Sequence, residues 1–358
     1  MAEPLTVAIV GAGIGAAHFH AYRTLPDRFA VRTICELDSD RAVPLIAMSP
    51  ETRLATDLGA VLADPAIAIV DICLPPHLHL DTCLAALAAG KHVICEKPLT
   101  ASLSDADRLV RAEAAAPGRL FPVFQYRYGR SADQLQALIA AGLAGKPFVA
   151  SLETHWNRGV DYYAADWRGT WDGEQGGAVL GHAIHIHDWL SFALGPVASV
   201  HAELATRVNP IETEDCAALS IRMASGALVT SSITLGAAAD TTRLKFCFEH
   251  LTAESGTAPY SPAEAPWTFT ARAPEDQTRI DAVAAAVPEG PGGFAGFFAA
   301  VADALAGRPH NAVTLADGRR SVEFVTAVYA SARTGAPVSL PLAVDHPLYE
   351  GWRPGHCG

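Results

Sequence analysis

Apolar runs alternate with amphipathic stretches along the first third of the chain. The apolar runs are rich in β-branched residues, as is typical of strands buried on both faces of a parallel sheet. They occur at Leu5 to Val10, Ala30 to Cys35, Ile67 to Leu74, His92 to Cys95 and Phe121 to Phe124. Helix-compatible stretches separate them, at Ala17 to Thr24, Leu78 to Ala89 and Ser104 to Ala115. The alternation predicts an α/β domain with a doubly wound parallel sheet over residues 1–126.

The pattern changes after Tyr126. Long alternating segments there predict further strands, at Pro147 to Trp156, Val197 to Val208, Glu214 to Met223, Ala227 to Leu235 and Arg243 to Glu249. A hairpin turn is predicted at Ala224-Ser225-Gly226. Helices are predicted at Ser131 to Ala141, Ala178 to Leu194, Gly293 to Leu305 and from Thr314, where Asp317 completes a capping box. Residues 256–292 are rich in Pro and Ala and are predicted to be loop. Residues 127–358 are therefore predicted to form an α+β domain with a large mixed or antiparallel sheet.

The balance of charge excludes some classes of partner. Of the 358 residues, 50% are hydrophobic and 18% are charged, and the net charge is −12. Nucleic acids and anionic membranes both require a basic face, and the sequence has no basic cluster. No apolar stretch is long enough to span a bilayer. We therefore expect neither a nucleic-acid nor a membrane partner.

Cysteine usage predicts a reducing compartment. The seven cysteines are odd in number, widely spaced and without a CxxC pair: Cys35, Cys73, Cys83, Cys95, Cys216, Cys247 and Cys357. Several lie in apolar strand-like runs, where a free thiol packs as a small hydrophobic group. Residues 1–4 lack the basic region and cleavage pattern of a leader. We therefore expect structural thiols in a cytoplasmic protein.

A glycine-rich turn follows the first strand. Gly11-Ala12-Gly13-Ile14-Gly15 separates this strand from the first helix. Glycines permit a tight turn and let backbone N–H groups approach a pyrophosphate at a helix N-terminus. The pattern predicts that Gly11, Gly13, Ile14 and Gly15 bind a dinucleotide.

Glu36 ends the second strand, about 20 residues beyond the glycine turn. An acid there accepts hydrogen bonds from the hydroxyls of the adenosine ribose. Leu37 follows rather than an arginine, so that no residue is placed to receive a 2′-phosphate. This favours NAD over NADP as the cofactor. The alternative is that Glu36 is a solvated strand end.

Further candidates follow later strands at the same edge of the sheet, where the ligands of doubly wound folds collect. Lys97 precedes a proline, which restricts its backbone to an extended conformation and fixes where the side chain begins. A lysine there can lower the pKa of a substrate hydroxyl or hold its oxygen. The alternative is a surface salt bridge with Glu96. The predicted cofactor-binding residues at this edge are Pro75, His79, Glu96 and Lys97.

Histidines cluster on the helix predicted at Ala178 to Leu194. Removing a hydride from a carbinol needs a base for the hydroxyl proton, and the pKa of histidine suits this role. On an α-helix, His182, His185 and Asp188 share a face. We predict His185 as the base, with Asp188 either orienting it or bonding a backbone group; the alternative is a structural histidine. His182 is either a substrate contact or a core histidine, and His187 is structural.

The same histidines allow a metal-site interpretation, because HxxH places two imidazoles on one helical face. No second ligand cluster stands out in the sequence. Hydride transfer to a nicotinamide needs no metal, and we predict none.

The loop from Trp156 to Trp171 is rich in aromatic and charged residues. Aromatic faces stack on the C–H face of a sugar, while arginine and aspartate bond its hydroxyls. The alternative is that these aromatics belong to the core or to a subunit interface. So wide an aromatic wall suggests a substrate larger than a free polyol, such as a glycoside. The predicted substrate-binding residues are Lys97, Tyr126, Arg127, Tyr163, Trp167, Arg168, His182 and His185.

Four segments together resemble the glucose–fructose oxidoreductase / inositol dehydrogenase / rhizopine-catabolism (Gfo/Idh/MocA) family. They are the glycine turn, Pro75-Pro76-His77-Leu78-His79, the run Gly90-Lys91-His92-Val93-Ile94-Cys95-Glu96-Lys97-Pro98, and Gly176-Gly177 with His185-x-x-Asp188. The resemblance covers nearly the whole chain. It implies an N-terminal Rossmann domain and a C-terminal α/β domain whose open sheet often mediates oligomerisation. It also implies nicotinamide-dependent chemistry on a sugar, polyol or related carbinol.

Carried over residue by residue, the resemblance makes Lys97 the catalytic lysine and His185 the catalytic histidine. Members of the family commonly have an acidic residue four positions before that histidine, where this chain has Gly181. We predict an NAD-dependent dehydrogenase acting on a CH–OH group of a small-molecule sugar, polyol or glycoside. We also predict a homodimer or homotetramer formed through the C-terminal sheet.

Two alternatives to a simple dehydrogenase remain. One is an enzyme that keeps NAD bound and cleaves or epimerises a glycoside through a transient keto intermediate. The other is a catalytically silent dinucleotide-binding sensor. The glycine at position 181 favours the sensor, whereas retention of Lys97 and His185 argues against it.

Overall fold

A computed structural model describes residues 3–355, which fold as two compact units. The first unit takes in the chain up to Val123 together with Phe294–Arg320. The second takes in Phe124–Gly293 and the chain from Ser321 onward. The boundary predicted after residue 126 stays a prediction, and no pattern in the sequence pointed to the return of Phe294–Arg320 to the first unit.

The first unit is built on a parallel sheet. Its strands are β1 (Leu5–Val10), β2 (Phe29–Cys35), β3 (Arg53–Ala55), β4 (Ile69–Ile72), β5 (His92–Cys95) and β6 (Leu120–Pro122). They lie in the order β3-β2-β1-β4-β5-β6, and neighbouring strands run parallel. This is the order of a doubly wound Rossmann sheet, whose ligand crevice lies at the reversal between β1 and β4. The predicted fold class of this unit is confirmed.

Helices connect the strands of this sheet. They are α1 (Gly15–Arg23), α2 (Ser39–Ala47), α3 (Leu58–Ala63), α4 (His79–Ala88) and α5 (Leu103–Ala115). The sequence features of α5 are clear: Ser102 caps it by accepting the N–H of Asp105, and Leu103, Ala106 and Leu109 are buried at helical spacing. The short elements β3, α2 and α3 were not predicted.

The second unit is built on a mixed sheet. Its strands are β7 (Pro147–Asn157), β8 (Val197–Ala205), β9 (Cys216–Met223), β10 (Leu228–Thr234), β11 (Gly236–Phe248), β12 (Leu251–Glu254), β13 (Thr268–Ala271) and β14 (Val338–Ser339). They lie in the order β13-β12-β11-β7-β10-β9-β8-β14. β10 runs parallel to β7, whereas β9 and β10 form the predicted antiparallel hairpin. The predicted mixed sheet is therefore confirmed.

Three helices belong wholly to the described part of the second unit: α6 (Arg130–Ala140), α7 (Ile184–Leu194) and α8 (Gln277–Ala286). A π-helical segment, Val179–Ala183, directly precedes α7. The regular α-helix predicted from Ala178 is therefore wrong in its first turn. The prediction of loop for residues 256–292 is also wrong, because β13 and α8 lie there. The side chain of Gln277 joins them by accepting the N–H of Ala271 and donating to the carbonyl of Phe269.

The last two helices are α9 (Gly293–Leu305) and α10 (Leu315–Thr334). In α9, Phe298 is fully buried and stacks on Tyr22 of α1, with 3.9 Å between ring centroids. At the start of α10, the carboxylate of Asp317 accepts the backbone N–H and the hydroxyl of Thr314, each at 2.8 Å. The Asp317 side of the predicted capping box is thus present.

The cysteines of the described chain are free: Cys35, Cys73, Cys83, Cys95, Cys216 and Cys247. Cys357 lies outside the described residues. Within residues 3–355, no helix combines the length and the apolarity that crossing a membrane requires.

Candidate active site

The glycine turn between β1 and α1 has the shape of a pyrophosphate cradle. Gly11 has φ of +97°, and a Cβ there would lie 2.6 Å from the carbonyl oxygen of Cys73. Only glycine fits such a position. At Gly13, by contrast, no atom lies within 4 Å of where a Cβ would be. α1 then begins without a side-chain cap, so the open turn and the helix N-terminus suit a bound phosphate group.

Glu36 lies directly after β2 and supports this turn. Its two carboxylate oxygens accept the N–H of Ala12 at 2.7 Å and the N–H of Asp38 at 3.0 Å. Partial burial favours the neutral acid, but these backbone bonds outweigh it and hold the pKa of Glu36 below its ordinary value. Glu36 is therefore an anion at the end of β2, where the ribose prediction requires one. Its contact with a ribose stays a prediction.

His79 joins two loops at the carboxyl edge of the same sheet. Its Nδ1 lies 2.7 Å from the carbonyl oxygen of Pro98, and its Nε2 lies 2.8 Å from that of Leu74. The ring is 1% exposed. His79 was predicted to bind the cofactor, but the structure gives both of its nitrogens to the backbone. Pro75, next to Leu74, is half-buried in the same loop.

Glu96 and Lys97 follow β5. Glu96 is 5% exposed, and its Oε2 accepts the backbone N–H of Lys97 at 3.0 Å. Burial alone would raise the pKa of Glu96, but His18 and the nearby charge of Lys97 lower it below the ordinary value. Glu96 is therefore a buried acid rather than a surface group, while the alternative of an ion pair with Lys97 stays a prediction. Lys97 is half-buried.

In the second unit, His185 lies on α7 and is 3% exposed. Its ring stacks on Tyr126, with 4.4 Å between centroids, and meets the edge of Phe124 at 6.1 Å. The hydroxyl of Tyr126 donates to the carbonyl of Pro259 at 2.8 Å. The structure thus brings together two residues predicted for the substrate site, and the Tyr126 ring fixes the plane of the imidazole.

Arg127 and Asp188 form a buried pair. The guanidinium donates to both carboxylate oxygens, Nε to Oδ2 at 2.7 Å and Nη2 to Oδ1 at 2.6 Å. Arg127 also lies 4.8 Å from the ring centroid of Phe192. Asp188 was expected to bond His185 or the backbone, and Arg127 was expected to contact substrate. The observed pair ties the start of the second unit to α7, and the roles expected of Asp188 toward His185 and of Arg127 toward substrate stay predictions.

His182 lies in the π-helical segment, against the aromatic loop. Its ring centroid is 5.2 Å from Trp156 and 5.5 Å from Tyr162. Arg168 stacks over Tyr162 at 3.9 Å and over Trp167 at 4.4 Å. The predicted residues His182, Trp167 and Arg168 therefore belong to one cluster. Tyr163, also predicted, meets the edge of Tyr162 at 5.0 Å.

A carboxylate lies beside Gly181 although the residue itself has none. A Cβ at Gly181 would lie 3.7 Å from Oε1 of Glu174. Glu174 is 6% exposed, and its Oε2 accepts the N–H of Gly169 at 2.7 Å. Nη1 of Arg168 lies 3.6 Å from Oε1. The carboxylate of Glu174 thus lies beside the space that a side chain at position 181 would occupy. No sequence pattern identified Glu174.

A second arginine of the predicted aromatic loop, Arg158, lines an open cleft together with Tyr260, which was not predicted. Arg158 donates to Asp240 at 2.9 Å and to the hydroxyl of Tyr260 at 3.0 Å, and it lies 4.8 Å from the ring centroid of Trp156. The cleft has a volume of about 650 Å³ and is lined by Asn157, Arg158, Gly159, Val160, Asp161, Tyr162 and Tyr260. Because Tyr260 lies in the stretch predicted as loop, it was not predicted as a residue of the site.

Glu214 holds the start of the histidine-bearing segment. Its carboxylate accepts the N–H groups of Gly177 at 3.2 Å and Val179 at 3.1 Å, and the hydroxyl of Tyr329 at 2.9 Å. A Cβ at Gly177 would lie 1.9 Å from the carbonyl oxygen of Glu214, so this close approach requires glycine. Burial raises the pKa of Glu214 to about 7. The glycine pair could be recognised in the sequence, but Glu214, whose close approach Gly177 permits, could not.

His187, on α7, is the neutral member of the histidine cluster. Burial lowers its pKa to about 3, and its Nε2 lies 3.0 Å from the hydroxyl oxygen of Ser231. Its ring also lies 4.9 Å from Phe324. These contacts are those of a structural histidine.

The solved structures and curated relatives agree with this architecture. The chain is 28% identical to the WlbA dehydrogenase from Bordetella pertussis, solved with NADH and UDP-GlcNAcA; the match covers 95% of this chain and 100% of that one, with a TM-score of 0.82. It is 34% identical over 150 residues to an inositol 2-dehydrogenase of Rhodococcus erythropolis, covering 41% of this chain and 43% of the relative. It is 27% identical over 229 residues to a levoglucosan dehydrogenase of Pseudarthrobacter phenanthrenivorans, covering 61% and 58%.

The chain spans 58% to 65% of the length of the first curated relatives that it matches. Family models account for both units. Residues 5–124 match the NAD-binding Rossmann fold of the GFO/IDH/MocA oxidoreductase family, and residues 132–254 match the C-terminal domain of the same family. With more than half of its length matched in this order, the chain belongs to the Gfo/Idh/MocA oxidoreductase family.

Proposed function

We propose that this protein is an NAD-dependent dehydrogenase that oxidises a CH–OH group of a sugar, polyol or glycoside. The observation that carries the proposal is the anchoring of the Lys97 backbone at the end of β5, on the ligand edge of the Rossmann sheet. Glu96 accepts the N–H of Lys97, and His79 contacts the carbonyl of the next residue, Pro98. A lysine fixed from both sides at the ligand edge of a Rossmann sheet suits the holding of a substrate oxygen.

Each of the residues predicted for the site has a separate role in the proposed reaction. Bound NAD supplies the acceptor for the hydride. The ammonium of Lys97 holds the substrate oxygen and stabilises negative charge as it develops there. His185 accepts the hydroxyl proton, its ring plane fixed by Tyr126. Glu36 binds the adenosine ribose and disfavours a 2′-phosphate by its charge.

The aromatic loop supports a polyhydroxylated substrate. Trp167 and Tyr162 supply aromatic rings, and each nearby guanidinium is paired with an acid: Arg168 with Glu174, and Arg158 with Asp240. Paired donors and acceptors with little net charge suit hydroxyl groups. Relatives named for inositol and levoglucosan fit this class. Glu174 is assigned to the place of the acid that is missing at Gly181.

The test is the formation of NADH from NAD with a panel of polyols, aldoses and glycosides. Lys97→Ala and His185→Asn should each lower kcat/KM by at least about 100-fold, because each removes a group that acts on the hydroxyl proton. Lys245→Ala is the matched control, since Lys245 is an exposed lysine paired with Glu254. Its activity should equal that of the wild type.

Each other outcome has a distinct meaning. Unchanged activity in Lys97→Ala would overturn the assignment of that lysine. A signal limited to one NADH per subunit would favour the enzyme that keeps NAD bound and acts through a transient keto intermediate. Silence across the panel, despite measurable NAD binding, would favour the dinucleotide-binding sensor.

We also propose a cytoplasmic homodimer or homotetramer. The free thiols support the reducing compartment, which fractionation of the source cells would test. The open face of the second sheet supports the oligomer, because Val149 and Leu228 are neighbours across β7 and β10 and are 48% and 50% exposed.

A further inference from the structure

His18, on α1, lies at the centre of a buried cluster for which the reaction above has no use. The side chain is 0% exposed. Its Nδ1 lies 2.9 Å from Oδ2 of Asp71, and its Nε2 lies 3.1 Å from Oε1 of Glu96. The rings of Phe294 and Phe298 cover it, with centroids at 4.5 and 5.3 Å. A histidine is thus sealed between two acids beneath the ligand edge of the sheet.

The hydrogen bonds of this cluster depend on how many protons the His18 ring carries. A neutral imidazole has one N–H, whereas an ionised carboxylate can only accept. Because both ring nitrogens face carboxylate oxygens, the contacts are satisfied when the ring carries two protons. The thiol of Cys73 also faces the ring, at 3.4 Å from Nδ1, and the buried hydroxyl of Tyr22 interacts with Asp71 and Cys73. Burial alone would lower the pKa of His18, but chiefly Asp71 raises it well above the ordinary value.

A series of hydrogen bonds connects the cluster to Lys97. Asp71 holds His18, His18 holds Glu96, and the other oxygen of Glu96 accepts the backbone N–H of Lys97. This series of hydrogen bonds runs from β4, through α1, to the residue at the end of β5. We propose that His18 is a positioning residue, which orients Glu96 and thereby fixes the backbone from which the Lys97 side chain begins.

A metal ion is the competing explanation, because His18, Asp71 and Cys73 place possible ligand atoms within 4.8 Å of one another. The contacts favour hydrogen bonds. A separation of 2.9 Å between Nδ1 and Oδ2 is that of a direct hydrogen bond, and ligands bonded to one zinc ion at about 2.0 to 2.2 Å stand farther apart in a tetrahedral site.

The proposal rests on the proposed function, so its test uses a signal that needs no substrate. The sequence contains four lysines, Lys91, Lys97, Lys146 and Lys245. Labelling with ¹⁵N-lysine therefore gives few backbone amide signals, and Lys97→Arg assigns the one of interest. In His18→Gln, the amide proton of Lys97 should exchange with solvent at least about tenfold faster, because its hydrogen bond is weakened.

Internal and matched controls separate positioning from general destabilisation. Lys91 lies in the same unit, with its Nζ bonded to the carbonyls of Asp64 and Ile67. Its amide should exchange at the wild-type rate in His18→Gln. His20→Gln, on the exposed side of α1, should leave every lysine amide unchanged. Asp71→Asn is a second variant, which weakens the hold on His18, and it should give a smaller effect of the same kind.

Kinetics supply the second measurement. In His18→Gln, kcat should fall by at least about tenfold while KM for NAD rises by a smaller factor, since the glycine turn and Glu36 are untouched. Unchanged exchange at Lys97, or equal acceleration at Lys91, would overturn the proposal. So would a stoichiometric metal that the wild type retains and His18→Gln loses. An altered Lys97 amide without activity on any substrate would count against the proposed function and not against this inference.

Discussion

At the scale of single residues, we expect Glu36 to determine which dinucleotide the first unit prefers. Its carboxylate accepts the N–H groups of Ala12 and Asp38, which keeps it ionised and directed toward the glycine turn. A 2′-phosphate beside this anion would be repelled. The double variant Glu36→Ser with Leu37→Arg should shift the ratio of kcat/KM for NAD over NADP by at least about 100-fold toward NADP, which corresponds to roughly 3 kcal/mol.

The control for this prediction is Asp38→Ala. Asp38 caps α2 by accepting the N–H of Asp40, and it carries a similar charge nearby. Its replacement should leave the cofactor preference almost unchanged. If the double variant still prefers NAD as strongly as the wild type, Glu36 does not select the cofactor.

The sequence identified single residues where a local pattern marked them. Lys97, Glu36 and the glycine turn could be found because each follows a strand, and strand ends of a parallel sheet collect ligands. His18 and Glu174 could not be found in this way. The partners of His18 lie 53 and 78 positions away in the sequence, and only the folded sheet brings them together.

At the scale of elements, the segment that carries the histidines is held at its start by Glu214, whose carboxyl group titrates. Glu214 accepts N–H groups at the start of the π-helical segment Val179–Ala183. Burial raises the pKa of this carboxyl from 4.5 to about 7. The folded protein therefore binds the proton more tightly than the unfolded chain does. The stability that this proton contributes is complete below about pH 4.5 and is lost as the pH rises through about 7.

Glu214→Gln should remove this pH dependence, because the amide stays neutral. Between pH 5 and pH 8, the wild type should lose up to about 3 kcal/mol of unfolding free energy relative to the variant. Urea unfolding at several pH values measures the difference. Glu203→Gln, at an exposed position of β8, should track the wild type throughout. A constant difference between Glu214→Gln and the wild type would show that Glu214 does not titrate in this range.

Elements could be predicted where the local pattern was strong. The strands Leu5–Val10 and His92–Cys95 were predicted to the residue, because continuous apolar runs bounded by turns leave little choice. The π-helical segment was missed, because its start depends on the carboxylate of Glu214 from a distant part of the chain. β13 was missed because it is short, polar and stabilised by pairing with β12 and by Gln277.

At the scale of the whole molecule, the chain order does not follow the division into units. α9 returns to the first unit and packs Phe298 on Tyr22 and Phe29, at 3.9 and 6.2 Å between ring centroids. The sequence predicted a helix at α9, but its pattern contains nothing that specifies which sheet the helix covers. Such long-range choices depend on the shape of the partner surface and cannot be read from periodicity alone.

The mixed sheet of the second unit has one covered face and one open face. Along β7, Ala150, Leu152, Thr154 and Trp156 are buried, while the residues between them are more exposed. On the open face, Cys247, Val149 and Leu228 are register neighbours across β11, β7 and β10. An apolar row across three strands is the kind of surface that another subunit covers.

Replacing both Val149 and Leu228 by lysine should therefore separate the proposed oligomer. Two charges brought into a buried apolar contact without partners should raise the subunit dissociation constant by at least about 100-fold. Light scattering after size exclusion should then give the mass of one chain, 37.6 kDa, where the wild type gives a multiple of it. Val344→Lys, at a position that is 77% exposed, controls for added charge and should keep the wild-type mass. A wild-type protein that already elutes as one chain, or a double variant that keeps the multiple, would rule out assembly through this face.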